Sequence, residues 1–544
     1  MKNFPLKSLP SVVLAMFLSA LCFSSLGQVI VWGNSNVGQT NVPASATDVV
    51  ALAGGDGHGL ALKSDGTVVA WGWNLWGQTN VPIDLTNVVS IAAGSRHSLA
   101  LKMDGSVVLW GGILPLHVTN VPPDATNVVA LALGPGAQHA LALRADGTAL
   151  DWGGVYPSLT APPVDARNLV AVAAGDYFAV GLRSDGQVVA WGNDPGTGCL
   201  NVPASATNIV AIAAGWKNVA ALRADGTVLP WGGITSLSAS AGFTNVIDLT
   251  CPFGNIGDRV LAVRRDGTVT QSAPAGGTYP TTNITGIGAG GTDGQALVGN
   301  GVPVYRGFPI NRTVASGSTA YLRLLAVGGM PISYQWTCND TNLPGATNCV
   351  LALTNVQPPL SGTYYTLIAS NSSGMATSGP ITLNEVASEV GVQPQHLTAF
   401  PGDNVTFTAS VIGKGPFDYK WQFAGTNLDG ATTNSLSLTN IQMNQSGTYS
   451  LLVSNEFGIV TNTDAFLNVV PLPAFKSITQ STELVNLTWN ATTGLVFQLQ
   501  YCSDLNSRNW SNLGSSITAT NSTVSGSDTN GTELQRFYRL LVRP

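Results

Sequence analysis

Charge is scarce in this chain. Lys, Arg, Asp and Glu make up 10% of its 544 residues, and the formal net charge is −6. No Lys/Arg run occurs, which argues against nucleic acid and anionic membrane surfaces as partners, since both are gripped through concentrated positive charge. Histidine is equally sparse, with five in the whole chain. Three of the five share one repeat position and two are isolated, so no Ser/His/Asp arrangement emerges. Cysteines number six, and none sits in a C-x-x-C pair, which argues against a zinc or redox motif. Long apolar runs are missing as well, apart from Val12 to Phe23, which is too short to span a bilayer as a stable helix. Lys2 and Lys7 precede that run and Ser25-Leu26-Gly27 follows it. The pattern predicts a signal peptide over 1–27, with cleavage after Gly27 and export to the extracellular space, cell surface or periplasm. Cys22 does not make a lipoprotein signal, because Leu21 stands where a small residue is needed. No transmembrane segment is expected in the mature chain.

What fills the sequence is Gly, Ser, Thr and Asn between short apolar runs, the composition of many strands joined by tight turns. One phrase, "GHGLALKSDGTVVAWGWNLWGQTNVP" (Gly57 to Pro82), returns in altered copies such as "RHSLALKMDGSVVLWGG" near Arg96. Trp-Gly falls at Trp32, Trp71, Trp110, Trp152, Trp191 and Trp231. Asp-Gly falls at Asp65, Asp104, Asp146, Asp185, Asp225 and Asp266, with Asn300-Gly301 in the seventh copy. Residues 28–307 therefore hold seven units with a period of about 40. Each unit divides into four predicted strands: the "NVVAIAAG" type, "HSLALK", "TVVAWG", and a short one around "TNVP". Asp-Gly between the second and third is a hairpin turn requiring φ > 0. Each Trp offers roughly 150–250 Å² to bury between units. Units that cannot bury both faces alone must stack, and a closed ring removes the exposed ends. The fold class is therefore all-β: a seven-bladed β-propeller, with the early strand "QVIVWG" (Gln28 to Gly33) available to pair with the last blade.

"AGSRHSLALKMDGSVVLWG" and "WGNSNVGQTNVP" resemble the repeat of the regulator of chromosome condensation family. The short secreted bacterial version, similar to the propeller that inhibits β-lactamases, is the nearer likeness. The resemblance covers 28–307 and implies a propeller; it leaves function open, since exchange factors, inhibitors and other binders share the fold. Unit six departs with Pro252, Gln271 and an insertion near Phe253, and unit seven carries Arg306 where Trp is expected.

In an antiparallel meander every second connection lands on one face, so the loops after "AAG" and after "WG" share an end. The Asp-Gly turns and "SATN" loops share the other and are nearly uniform. The first end varies, and variation concentrated on one rim points to recognition. The candidate ligand-binding residues are Trp76, Arg96, Gln138, Tyr156, Tyr177, Trp216, Lys217 and Phe253, with Tyr177 and Trp216 at equivalent tips of adjacent blades. Trp73 is expected to be buried. His58, His97 and His139 share the position three residues after the loop Gly, where other units carry Phe178, Asn218, Arg259 and Asp293. Phe and Arg cannot ligate a metal, so a structural role bonded to backbone is expected. "GIGAGG" (Gly286 to Gly291) fits a dinucleotide fingerprint but is the strand end of unit seven with no helix after it. "DTNGTE" at Asp528 fails the calcium-loop spacing. No catalytic residue, metal or cofactor is expected.

Residues 308–386 and 390–470 repeat a second theme, "SGTYYTLIASNSSG" against "SGTYSLLVSNEFG". Both resemble immunoglobulin-like domains, which implies Trp336 and Trp421 as core tryptophans and Tyr365 and Tyr449 as tyrosine corners. Where the family's inter-sheet disulfide would sit stand Leu324 with Leu367, and Ala409 with Leu451. Cys338 and Cys349 lie in what reads as a hairpin and are a candidate disulfide; Cys199, Cys251 and Cys502 have no evident mates. Residues 474–544 ("LVNLTW", "FQLQYCS", "RFYRLLV") look like a small fibronectin type III-like sandwich. Taken together, the sequence predicts an exported, monomeric, non-enzymatic binding or adhesion protein for a protein or glycan ligand, with the immunoglobulin-like domains as stalk. Two alternatives stand beside it: an inhibitor of a secreted enzyme, and a polysaccharide-active enzyme using rim carboxylates among Asp56, Asp176 and Asp194.

Overall fold

The computed structural model describes residues 27–543 except 34, 113–120, 134–138, 154–161, 195, 234–242, 253–259, 273–281, 292, 308, 394–395, 463–464, 482–483, 506–508 and 530–534. The expected leader, up to residue 26, lies outside them. Each propeller unit opens on an Asn or Asp held at positive φ, between 49° and 62°: Asp48, Asn87, Asn127, Asn168, Asn208, Asn245 and Asn283. Short polar side chains tolerate that left-handed conformation, which accounts for the recurring "TN" and "TD". Their carbonyls accept the N–H that ends the second strand, as Asp48 does from Ser64 at 2.9 Å and Asn87 from Met103 at 2.8 Å. The Asp-Gly turns are equally local. The Asp65 carboxylate accepts from the Thr67 amide at 3.0 Å and hydroxyl at 2.6 Å, and Gly66 takes φ 78°. Its carbonyl then accepts from Val88 of the next unit at 3.0 Å, so a turn also fastens two blades.

The result is seven three-stranded antiparallel sheets. Blade 1 comprises Val49–Gly54, His58–Lys63 and Val68–Gly72; blades 2 to 6 repeat it. In blade 7, Ile284–Ala289 and Asp293–Val298 are completed by Gln28–Gly33, with Gln28 opposite Val298 and Gly33 opposite Asp293. The inner strands touch in cyclic order, and that of blade 7 touches that of blade 1. The approach is close at this seam: a Cβ on Gly54 would lie 2.4 Å from the Ala289 carbonyl carbon.

Two expectations change. The "TNVP" stretch is not a fourth strand but a run of turns that leans on the next blade. The Gln39, Gln78 and Cys199 carbonyls accept from the indole N–H of Trp71, Trp110 and Trp231 at 2.8–2.9 Å, which consumes the backbone groups a ladder would use. Arg306 is not a substitute for a blade tryptophan either. Trp32 on the N-terminal strand takes that place against Gly294, while Val304–Tyr305 pairs with Ala326–Val327 of the following domain.

That domain is a sandwich in which Ser333–Cys338 and Tyr364–Asn371 of one sheet face Ala320–Arg323 and Val350–Leu353 of the other. Trp336 is fully buried, and Leu324 and Leu367 pack in the same core. The second sandwich repeats this with Trp421, Ala409 and Leu451, and its Tyr449 hydroxyl donates to the Gln445 carbonyl at 3.0 Å, a tyrosine corner. Tyr365 differs, its hydroxyl accepting from Thr363 at 3.2 Å. Cys338 and Cys349 are not bonded to each other. After Cys338 the chain turns back to Thr341–Asn342 and then crosses over, so Cys349 enters the opposite sheet beside Leu324. The last domain is a smaller two-sheet sandwich around Trp489, Phe497 and Leu487.

The immunoglobulin-like domains are docked on the propeller's Asp-Gly end. Tyr321 donates its hydroxyl to Asn208 at 2.6 Å, and Arg306 and Arg323 reach Asp248 at 2.7 and 3.3 Å. Burial alone would raise the Asp248 carboxyl, but the two guanidiniums outweigh it and hold it below the usual range. Farther along, Arg183 of blade 4 is buried against Glu389 of the second sandwich and also bonds the Asp165 and Arg167 carbonyls. Removing Glu389 strands part of a buried guanidinium. Glu389→Ala is expected to cost about 2–3 kcal/mol in denaturant unfolding, with most of the loss recovered in an Arg183→Met/Glu389→Leu double variant.

Candidate functional site

The loops after "AAG" and after "WG" do meet at one end. Trp73 donates its amide to the Gly57 carbonyl at 2.8 Å, and Asn193 to Tyr177 at 2.7 Å. Three clusters occupy this rim. On blades 1 and 2 the Arg96 guanidinium lies 4.6 Å above the ring of Trp76. The same end carries two exposed apolar side chains that sequence reasoning missed: Leu75, next to Trp76 in the chain and 68% exposed, and Val37. Trp73 is half-buried near Val37, both set against Gly57.

On blades 4 and 5 the structure brings Tyr177, Trp216 and Lys217 together around one carboxylate. Asp176 accepts from the Trp216 indole at 2.7 Å and from a side-chain hydrogen bond with Tyr177. Lys217 lies 4.9 Å over the Trp216 ring, which remains 39% exposed. Burial raises the Asp176 carboxyl, and the bond from Trp216 is the first of the forces opposing it. The bond to Asp176 and the cation over the ring together hold the indole in one orientation at the surface. Gln138, Tyr156 and Phe253 lie outside the described residues.

The third cluster sits at the seam. Asp293 is 4% exposed and occupies the histidine position of blade 7. Burial pushes its carboxyl up to about 7; a hydrogen bond from Gln295 opposes this and the Asp56 charge adds to it. Asp56 is itself raised by burial and lowered by Arg96. The carboxylate whose charge reaches Asp293 is thus that of Asp56. Asp194 caps its own turn, accepting from the Thr197 and Gly198 amides at 2.8 and 3.1 Å. The signal for Asp293 was present in the repeat register, where it is the one acid at a position held elsewhere by His, Phe, Asn or Arg.

The histidines are buried between blades. His58 Nε2 meets the Ser98 hydroxyl at 3.0 Å, and burial, aided by His97, pushes its imidazole down to about 4, so it stays neutral. His139 bonds Asp151 through Nδ1 at 2.9 Å and the Gly175 carbonyl through Nε2 at 3.2 Å. Asp151 also accepts from Trp191 at 3.2 Å, doing for this seam what a backbone carbonyl does for Trp71, Trp110 and Trp231. Among the described residues no cluster of three His, Cys, Asp or Glu is placed to hold a metal.

Comparison with known proteins agrees with this architecture. Residues 49–78 and 169–195 match the regulator of chromosome condensation (RCC1) repeat, and residues 395–462 match the immunoglobulin domain. Similar solved structures include three N-terminal domains of the bacteriophage RB49 Highly Immunogenic Outer Capsid protein. That likeness has 12% identity over 42% of this chain and 91% of the other, with a TM-score of 0.24. The tandem Ig repeats of Dlar share 20% identity over 32% of this chain and 100% of the other, with a TM-score of 0.15. Sidekick-1 immunoglobulin domains 1–5 share 16% identity over 44% and 58%, with a TM-score of 0.16.

The Asp293 carboxyl favours its neutral form in the fold, since its ordinary value is near 4 and its folded value about 7. Its favourable contribution is complete below about pH 4 and is lost as pH rises through 7. Asp293→Asn, which places the residue blade 5 already carries as Asn218, removes that loss. Urea unfolding is expected to show the variant roughly 3–4 kcal/mol more stable than the parent at pH 8, with the advantage vanishing toward pH 4.

Proposed function

We propose that this chain is an exported, non-enzymatic binding or adhesion protein whose propeller takes its ligand at the loop end of the ring. One observation carries the reading: two tryptophans with cations over their rings, Trp76 and Trp216, stand at that end with exposed Leu75 and Val37, whereas the Asp-Gly end, although it exposes Ile83 and Met103, is shared with the immunoglobulin-like domains. Patches of this kind on a rigid frame mark recognition surfaces. The neck behind the ring fixes its aim rather than letting it swing.

A protein partner fits this rim better than a glycan. Sugar rings stack on free aromatic faces, and here Arg96 and Lys217 lie over Trp76 and Trp216. An indole with a cation on its face instead presents apolar area beside positive charge, the pairing common in protein hot spots. Export and the identity of the partner are part of the proposal.

Affinity capture with the full mature chain tests it. Trp216→Ala and Leu75→Ala are each expected to lower recovery of the captured partner at least tenfold, as loss of a central anchor does, with circular dichroism unchanged. Full recovery by both variants would overturn the assignment of this end.

A further inference from the structure

A second site lies at the other end, independent of the rim. Where the first immunoglobulin-like domain meets blades 5 and 6 there is a cleft of about 300 Å³. Small-molecule sites favour such domain junctions, and this volume is at the lower end of their range. Val210, Leu222, Val246 and Val350 supply the apolar part of its lining, beside a larger polar part.

The charges around it do not cancel. Arg223 and Arg265 line the cleft together with Asp225. The Asp225 carboxylate is taken up by the Thr227 hydroxyl and amide at 2.7 and 2.9 Å. Arg223 is held by the Ser205 carbonyl at 3.0 Å. Arg265, by contrast, is exposed; its amide donates to the Asn245 carbonyl at 2.8 Å, but its guanidinium makes no hydrogen bond or ion pair among the described residues. The thiol of Cys349, in the cleft wall, is pushed up by burial and adds no negative charge. Two cations thus face one anion, and the Arg265 guanidinium is uncommitted among the described residues.

The repeat register shows that this guanidinium is an addition. The residue before Asp-Gly is Ser64, Met103, Ala145, Ser184 and Ala224 in the first five units, and Arg265 in the sixth. The Arg or Lys one position earlier is common to all six, so turn chemistry does not require the second. Arg265 shares the cleft lining with Asn348 and Val350 of the immunoglobulin-like domain, as the unit-five turn at Asp225 and Gly226 also does.

We infer that this cleft binds a small organic carboxylate, with the acid group bidentate on Arg265 and an apolar body on Val210, Leu222 and Val350. A planar guanidinium matches a carboxylate in two parallel hydrogen bonds. The apolar part of the lining supplies what a bare inorganic anion cannot use.

Isothermal titration of the full mature chain with benzoate, inorganic phosphate and uncharged benzyl alcohol tests the assignment. Benzoate is expected to bind with a Kd of about a millimolar or tighter, and both other probes at least tenfold more weakly. Arg265→Gln, an exposed substitution, is expected to weaken benzoate at least tenfold, the usual scale for losing a charge-assisted bond. Arg265→Lys should fall between. Absence of benzoate binding, or equal binding in Arg265→Gln, would overturn the site. Phosphate binding as tightly as benzoate would overturn the role of the apolar lining.

Discussion

Everything in this molecule depends on closing the ring. A three-stranded sheet with two apolar faces has no stable existence alone in water, and each blade solves this only by lending a face to each neighbour. Seven such sheets leave two terminal faces unless the first strand of the chain joins the last blade. Gln28–Gly33 does that, setting its six residues against Asp293–Val298. The pairing joins residues at opposite ends of the propeller sequence. It also removes the free edge that Asp293–Val298 would otherwise present.

Closure creates seams, and each seam buries polar groups that must be satisfied. Three of them share one recurring device, an indole N–H from one blade to a carbonyl of the preceding turn segment. Where the device changes, chemistry appears. Asp151 replaces a carbonyl and holds His139 as well, while Asp293 takes the histidine position and is left largely dehydrated within reach of the Asp56 charge. The ring therefore carries its titratable groups at its joints. The rim clusters are built on the same scaffold, since Asp176 orients Trp216 from a neighbouring blade.

Much of this was legible. Period, blade number, Asp-Gly turns and the sharing of one end by two sets of loops all follow from residues close in sequence. So does the grouping of Tyr177 with Trp216, whose tips are one repeat apart. The fourth strand was not legible, because "TNVP" has strand-like residues and its fate turns on a tryptophan of the next unit. Nor was the separation of Cys338 from Cys349, since a hairpin and a crossover look alike until the sheets are assigned. Leu75 and Val37 were passed over because a single apolar residue in a loop gives no periodic signal.

The sequence by itself determined the repeat, the local turn conformations and the class of each domain, because these rest on neighbouring residues and are written several times over. Tertiary structure alone decided which domains touch. Arg183 and Glu389 are 206 residues apart, and nothing in either stretch marks the other as its partner. The docking of the sandwiches, the cleft beneath blades 5 and 6 and the effect of the Asp56 charge on Asp293 are single events between distant segments. Their energy comes from burial and charge that exist only once the chain has folded back on itself.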